Sequence, residues 1–184
     1  MREEEAGVLI KKDVLLVDGY NMIGSWPNLV PLKDQDKMED ARDLLLRELS
    51  EYSHYKKIQT IVVFDAQFVP GVQKKYDYRS LEVVFTQEDE TADSYIEANL
   101  ENYQNVLTQV TVATSDYAEQ RIVLGKGSSR KSAPELYKDV QESKKEIKSD
   151  YASYRRQKSR RFSTWKDEDI DKLEEFYRKI TEKK

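Results

Sequence analysis

Asp13-Val-Leu-Leu-Val-Asp-Gly-Tyr-Asn21 is the stretch of sequence that decides the fold. Four apolar residues in succession lead into Asp18, and a glycine, a tyrosine and an asparagine follow it. A short apolar run closed by turn residues is typical of a strand buried on both faces of a sheet. Asp18 is therefore predicted at the carboxyl end of a buried strand, the edge at which ligands bind in open α/β sheets.

Short apolar segments and helical segments alternate along the rest of the chain. Residues 58–65, 81–86 and 109–114 have the apolar and β-branched character of further strands. Apolar side chains recur at three- and four-residue steps from Met38 to Tyr52, which predicts a crossover helix, and Thr91 is predicted to cap another helix. This alternation predicts an α/β fold in which a mainly parallel central sheet is covered by helices on both faces.

The remaining segments define the domain organisation. Residues 25–37, which contain two prolines, and residues 69–79, which have no stable period, are predicted to be loops. A helix from about residue 117 is predicted to end at the glycines of segment 125–127, and very polar helical segments follow. We predict a flexible leader over residues 1–12, one domain over residues 13–148 and a basic helical extension over residues 149–184.

The composition excludes several kinds of chemistry. The 184 residues include no cysteine and a single histidine, His54, so thiol catalysis, polyhistidine metal sites and a histidine-based triad are not expected. Any metal ion must then be a hard cation bound through oxygen. No apolar run approaches the roughly 20 residues of a membrane helix, and the acidic N-terminal segment lacks a signal-peptide pattern. We expect a soluble, cytoplasmic monomer that does not bind a membrane.

The net charge of −4 hides an uneven distribution of charge. Segment 121–161 contains 13 Lys and Arg against 5 Asp and Glu, whereas the rest of the chain contains 18 against 30. An acidic body can hold its carboxylates around a metal ion while a basic arm binds a polyanion. A solvated helix with charged faces is the ordinary alternative for such a basic segment.

Acidic residues follow three of the predicted strands. Asp18 and Asp65 close their strands directly, and Asp116 follows its strand after one intervening residue. Asp93 is predicted in the first turn of the helix after the third strand. Because the carboxyl ends of parallel strands share one edge, four carboxylates are predicted to converge there. A divalent cation would relieve their mutual repulsion, and Mg²⁺ or Mn²⁺ at such a site is suited to the hydrolysis of phosphodiesters.

Each acid also has an ordinary structural interpretation. Asp18 precedes a glycine and can shape a turn, whereas Asp93 and Asp116 can complement the N-termini of helices. Asp65 can cap the segment after its strand. The repetition of acids at the ends of several strands favours the functional interpretation, in which Asn21 and Ser115 orient a water molecule or a ligand.

Four segments at these strand ends have characteristic sequence motifs. They are Val-Asp-Gly-Tyr-Asn-Met-Ile-Gly at 17–24, Val-Val-Phe-Asp-Ala at 62–66, Glu-Thr-Ala-Asp at 90–93 and Ala-Thr-Ser-Asp-Tyr-Ala-Glu-Gln at 113–120. Together and in this order they resemble the NYN domain of PIN-like nucleases, and the bacterial YacP-like branch in particular.

The resemblance implies a PIN-like three-layer α/β/α sandwich and metal-dependent cleavage of RNA. It implies that Asp18, Asp93 and Asp116 are catalytic acids that bind Mg²⁺ or Mn²⁺, with Asp65 as a further catalytic acid; Asn21 joins this catalytic set from its position after the first strand. Members of this branch are similar to ribosome-associated endoribonucleases that cut messenger RNA during translation. The expected partners are therefore messenger RNA and the ribosome, and the expected process is the decay of messenger RNA.

Positive charge is required beside such an acidic site, because carboxylates alone would repel RNA. The segment 74–79 mixes cations with tyrosines, which suits contact with the RNA backbone and stacking on bases. Further cations follow the glycine turn of segment 125–127 or cluster near residues 155–161. The candidate RNA-binding residues are Lys74, Lys75, Arg79, Lys126, Arg130, Lys131, Arg155, Arg156, Arg160 and Arg161.

Two alternative functions are compatible with parts of this pattern. A phosphatase of the haloacid-dehalogenase type also places an aspartate after its first strand, but it requires a second aspartate two residues later, where this chain has Tyr20. A non-catalytic protein that binds RNA or the ribosome could retain the same fold. The presence of all the candidate acids argues against a site that has lost its activity.

Overall fold

The computed structural model describes residues 12–66, 74–115 and 127–162, with segments 74–76 and 156–162 described by their backbone alone. The strands are β1 (Lys12–Asp18), β2 (Gln59–Phe64), β3 (Lys74–Tyr78), β4 (Leu81–Phe85), β5 (Thr108–Ala113) and β6 (Ser129–Lys131). The helices are α1 (Gly19–Ser25), α2 (Val30–Asp34), α3 (Met38–Lys56), α4 (Ala92–Tyr103) and α5 (Ala133–Phe162).

The strands form one sheet in the order β3-β4-β2-β1-β5-β6. All neighbouring strands are parallel except β3 and β4, which pair antiparallel through the turn that joins them. In the register of the two central strands, Asp18 lies opposite Val63, one residue before the end of β2. The predicted mainly parallel α/β architecture is confirmed, and β1 occupies a central place in the sheet.

Alternate side chains of the central strands enter two separate cores. Leu15 and Val17 belong to one core, and Val14 and Leu16 belong to the other. The first core is closed by residues of α1, α3 and α5, and the second by residues of α4. Apolar side chains on both faces explain why the strand sequences are continuously hydrophobic. These two cores are the helix–sheet contacts of a three-layer α/β/α sandwich.

Two segments that were predicted as loops contain regular structure. Residues 25–37 include the short helix α2, which begins with Pro31 in its first turn, where a missing N–H costs no hydrogen bond. Residues 74–78 form β3, which pairs with β4 along its whole length. An edge strand pairs on one side and needs little apolar patterning, so periodicity alone does not reveal it.

The local signals around two helices are confirmed by the structure. The side chain of Thr91 accepts a hydrogen bond of 3.1 Å from the backbone N–H of Ser94, as expected of an N-cap. Helix α3 begins at Met38, and its apolar stripe is buried against the sheet. The predicted helix from about residue 117 lies outside the described residues.

The residue contacts divide the chain into two compact units, residues 1–144 and residues 145–184, and the boundary falls within α5. Residues of α5 that belong to the first unit, including Leu136 and Val140, are buried in its core. In the second unit Tyr151 and Tyr154 have exposed side chains. No helix in the described part of the chain is long and apolar enough to cross a membrane.

Gly19, the residue after the first strand, has no room for a side chain. A Cβ atom at this position would lie 2.2 Å from Cε1 of Phe64 and 2.5 Å from Cδ1 of the same ring. We expect Gly19→Ala to destabilise the protein by roughly 1–3 kcal/mol, because the buried ring or the backbone beside Asp18 must shift. Unfolding in urea measures this difference.

Gly24→Ala is the matched control for this prediction. A Cβ atom at Gly24 would meet only Nζ of Lys33 at 3.8 Å, and alanine favours helices more than glycine does. Gly24→Ala should therefore leave the free energy of unfolding unchanged or raise it. Equal stabilities of the two variants would show that Phe64 does not require a glycine at position 19.

Candidate active site

Asp18 combines a structural contact with a buried carboxyl group. Its Oδ1 accepts a hydrogen bond of 3.0 Å from the backbone N–H of Asn21, so the side chain caps α1. The residue is 9% exposed, and burial raises the pKa of its carboxyl group to about 6. The hydrogen bond from Asn21 opposes this rise in pKa, and the nearby Asp93 adds to it. The carboxyl group therefore lies in a site that penalises an uncompensated negative charge.

Asp93 supplies the second carboxyl group of the site. It lies in the first turn of α4, and it is half-buried. Its side chain lies close enough to Asp18 for its charge and its polar interaction to raise the pKa of Asp18. Helix α4 begins at the carboxyl edge of the sheet because it leads from the end of β4 to the start of β5. The predicted convergence of acids at this edge is thus seen for Asp18 and Asp93.

A chain of hydrogen bonds links α1 to the segment that follows β5. The side-chain Oδ1 of Asn21 accepts a hydrogen bond of 2.9 Å from the backbone N–H of Ser115. The hydroxyl of Ser115 accepts another, of 3.1 Å, from the backbone N–H of Ala133 at the start of α5. The indole N–H of Trp26 donates to the carbonyl of Ala133 at 3.1 Å. Asn21 therefore fixes the backbone immediately before residue 116.

Asn21→Ala is expected to slow RNA cleavage by roughly 10–100-fold, because small displacements of catalytic groups have effects of this size. The variant loses the acceptor for the backbone N–H of Ser115. Because Ser115 is exposed, a water molecule can accept that hydrogen bond instead. The loss of stability should therefore be only about 1 kcal/mol. Cleavage rates and urea unfolding of the same preparations measure the two effects.

Asn102→Ala is the control for Asn21→Ala. The amide of Asn102 donates to Asn99 on an exposed part of α4, so its loss should change neither cleavage nor stability appreciably. A wild-type cleavage rate for Asn21→Ala would mean that the Asn21–Ser115 hydrogen bond has no role in the site.

Tyr20 follows Asp18 by two residues and contacts Arg42, and the sequence interpretation assigned neither Tyr20 nor Arg42 to the site. Nη1 of Arg42 donates a hydrogen bond of 3.0 Å to the hydroxyl of Tyr20. Burial raises the pKa of Tyr20, the contacts of Arg42 lower it, and the charge of Asp65 raises it again. Asp65 directly follows β2, as predicted. Arg42 lies four residues after the start of α3, and no pattern in the sequence marks a cation at that position as part of a site.

The predicted cluster of four carboxylates is not complete in the described residues. Within residues 12–66, 74–115 and 127–162, no three His, Asp or Glu side chains lie close enough together to hold a metal ion. Asp65 is therefore not joined to Asp18 and Asp93 in such a group. Asp116, the predicted third ligand, lies outside the described residues.

The donors of the site nevertheless fit a divalent cation. Two adjacent carboxyl groups, one of them buried, provide only oxygen ligands, which Mg²⁺ and Mn²⁺ prefer. A bound cation would remove the repulsion that Asp93 exerts on Asp18 and would stabilise the charged form of both groups.

Some of the predicted RNA-binding residues already have partners within the protein. Nζ of Lys131 lies 2.5 Å from Oδ2 of Asp139, and Nη1 of Arg130 lies 4.0 Å from Oε2 of Glu135. Both cations are on the short strand β6, which pairs with β5. The acidic partners reduce the positive charge that this edge strand offers to RNA.

The other predicted cations lie on several elements. The guanidinium of Arg79 lies 5.5 Å from the centre of the Tyr78 ring, in the turn after β3. Arg155 is exposed on α5, and Lys126 lies outside the described residues. The backbone of β3 includes Lys74 and Lys75, and that of α5 includes Arg156, Arg160 and Arg161, while their side chains are not described. Their role in RNA binding stays a prediction.

A mainly parallel sheet between two helical layers, with paired carboxylates at its carboxyl edge, defines a PIN-like fold of the nuclease type. The chain belongs to the YacP-like NYN domain family, whose sequence profile matches residues 15–178. The resemblance found in the four short segments is therefore confirmed over most of the chain.

The chain is similar to proteins of Bacillus subtilis. It is 50% identical over 129 residues to the uncharacterized protein YacP of strain 168, and the aligned segment covers 70% of this chain and 75% of that protein. The crystal structure of Rae1 (YacP) matches with a TM-score of 0.70 and 42% identity, over 90% of this chain and 95% of that chain. A crystal structure of a Rae1 mutant matches with a TM-score of 0.66 and 46% identity, over 74% and 79% of the two chains.

Proposed function

We propose that this protein is a metal-dependent endoribonuclease that hydrolyses phosphodiester bonds within RNA. The observation that carries the proposal is the proximity of the buried carboxyl group of Asp18 to that of Asp93 at the carboxyl edge of the sheet, which raises the pKa of Asp18. Two neighbouring carboxyl groups, one of them buried, have an electrostatic cost that a purely structural role does not explain.

Asp18 and Asp93 would hold Mg²⁺ or Mn²⁺, together with Asp116 as the ligand predicted from the sequence. When bound, such a cation lowers the pKa of water and stabilises negative charge on a phosphate group. The protein's own residues orient the ligands: the Asn21 N–H fixes one oxygen of Asp18, and the Asn21 side chain holds the backbone before residue 116.

The family and the charge of the chain support a proposal for the class of substrate. We propose messenger RNA that is being translated as the substrate, with the ribosome as partner and the cytoplasm as location. Membership of the YacP-like NYN family and the excess of cations in segment 121–161 support this assignment. Cations on several elements suit a long polyanion better than a small phosphorylated molecule.

A transcript labelled at one end, either free or being translated in a purified system, tests the proposal. We expect internal cleavage by the wild-type protein, faster on the translated transcript, and its loss when Asp18 is replaced. For the free RNA, chelation of divalent cations should stop cleavage and added Mn²⁺ should restore it. Binding without any cleavage in both settings would instead indicate a non-catalytic protein that binds RNA or the ribosome.

A further inference from the structure

Arg42 lies at the same edge of the sheet as the carboxyl pair although it belongs to a different layer. The chain leaves β1 at this edge and returns to the start of β2 through α3, so the N-terminal end of α3 lies toward the same edge of the sheet as Asp18. Arg42 is in the second turn of α3, and it is half-buried. The topology thus brings a guanidinium group to the region of the acids.

Tyr20 holds this guanidinium group in place. Its hydroxyl accepts the 3.0 Å hydrogen bond from Nη1 of Arg42, and it follows Asp18 by two residues. The Tyr20 ring contacts Phe64 edge-on, with 5.1 Å between ring centres, and Phe64 stacks on Phe85 at 5.3 Å. Because Gly19 also packs on Phe64, the position of Tyr20 relative to Asp18 is determined by tight packing.

Arg42 differs from other half-buried cations of the described chain in its partner. Lys131 pairs with Asp139, and Lys144 pairs with the buried Glu48. Within the described residues no carboxylate pairs with Arg42, whose hydrogen bond goes to the neutral hydroxyl of Tyr20. A guanidinium group has five N–H donors in a planar fork that matches the oxygens of a phosphate group.

We propose that Arg42 binds a phosphate group of the RNA beside the carboxyl pair and that Tyr20 is the residue that positions it. This inference rests on the proposed function and names the contact by which the acidic site retains a polyanion. The fixed hydroxyl leaves the remaining N–H donors of Arg42 for phosphate oxygens. A positive group is needed there because the two carboxyl groups would otherwise repel the RNA backbone.

RNA binding without cleavage tests the assignment. The protein with Asp18→Asn serves as the parent, and Arg42→Gln, Arg42→Lys, Tyr20→Phe and Arg47→Gln are added to it singly. Arg47 is exposed on the same helix, about 7.5 Å farther along its axis, and is the matched control. Fluorescence anisotropy of a labelled single-stranded RNA of 20 nucleotides is measured at several salt concentrations, and thermal unfolding of every variant is recorded.

We expect Arg42→Gln to weaken binding about tenfold or more. The negative slope of log association constant against log salt concentration should become less steep by about 0.7, as for one lost phosphate contact. Arg42→Lys should restore the slope but only part of the affinity, because the charge remains and the fork is lost. Tyr20→Phe should weaken binding by roughly threefold at an unchanged slope. Arg47→Gln should stay within about twofold of the parent.

An unchanged affinity and salt slope for a folded Arg42→Gln variant would overturn the assignment, as would a failure of the parent to bind the RNA. RNA cleavage is measured separately, with proteins that retain Asp18, so that the phosphate contact and the proposed nuclease function can fail independently. If the wild type cuts RNA and Arg42→Gln binds normally, the phosphate contact is wrong and the nuclease function stands. If Arg42→Gln loses binding and the wild type cuts no RNA, the contact stands and the nuclease function is wrong.

Discussion

Replacement of Asp18 by Asn is expected to reduce RNA cleavage by at least about 10³-fold while the fold is retained. The asparagine side chain keeps the shape of aspartate and can still accept the hydrogen bond from the Asn21 N–H, so α1 remains capped. The variant loses the negative charge beside Asp93, and with it one of the carboxylate ligands for a divalent cation. Cleavage of a labelled transcript at saturating Mn²⁺ measures the effect.

Asp93→Asn should have a similar effect for the same reason. Glu51→Gln, at an exposed position near the C-terminal end of α3, removes an equal charge toward the opposite edge of the sheet and should leave cleavage unchanged. Wild-type cleavage rates for both Asp18→Asn and Asp93→Asn would exclude a metal site at this edge of the sheet.

The same substitution of Asp18 is expected to stabilise the protein when no divalent cation is present. The pKa of Asp18 rises from 3.8 to about 6 on folding, so the folded state keeps a proton that the unfolded state has released. Stability therefore falls as the pH rises from about 4 to about 6, and the full penalty remains at higher pH. At pH 7.5 we expect Asp18→Asn to be more stable than the wild type by about 2–3 kcal/mol.

Chemical unfolding in the presence of a chelator, between pH 4 and pH 8, measures this penalty. The difference between wild type and Asp18→Asn should be largest above pH 6 and should shrink towards zero near pH 4. Added Mn²⁺ should raise the melting temperature of the wild type, since the cation binds the folded state, and should leave that of Asp18→Asn nearly unchanged. A difference that does not depend on pH, or equal responses to Mn²⁺, would contradict the site.

The sequence was informative where a structural feature depends on neighbouring residues. The continuous apolar runs predicted the buried strands, because both faces of a parallel sheet are covered. Asp18 could be placed at a strand end from its own surroundings, and the cap at Thr91 located Asp93 in the first turn of α4. Asp18 and Asp93 are then expected to lie close together, because the carboxyl ends of parallel strands lie at the same edge of the sheet.

Features that depend on distant partners could not be predicted in the same way. β3 is a strand because β4 lies next to it, and β6 because β5 lies next to it. The Arg42–Tyr20 hydrogen bond joins residues on two helices, so neither residue has a local pattern that indicates the contact. Asp65 closes its strand as predicted, yet among the described residues it forms no group of three acids with Asp18 and Asp93.

Mapping of RNA 5′ ends in cells tests the central claim most directly, because it reports the substrate and the cleavage together. Cells that produce the wild-type protein are compared with cells that produce Asp18→Asn at the same level. We predict internal 5′ ends in translated messenger RNAs that are present with the wild type and absent with Asp18→Asn. Identical profiles of 5′ ends in the two strains would contradict the assignment of Asp18 and Asp93 to an RNA-cleaving site.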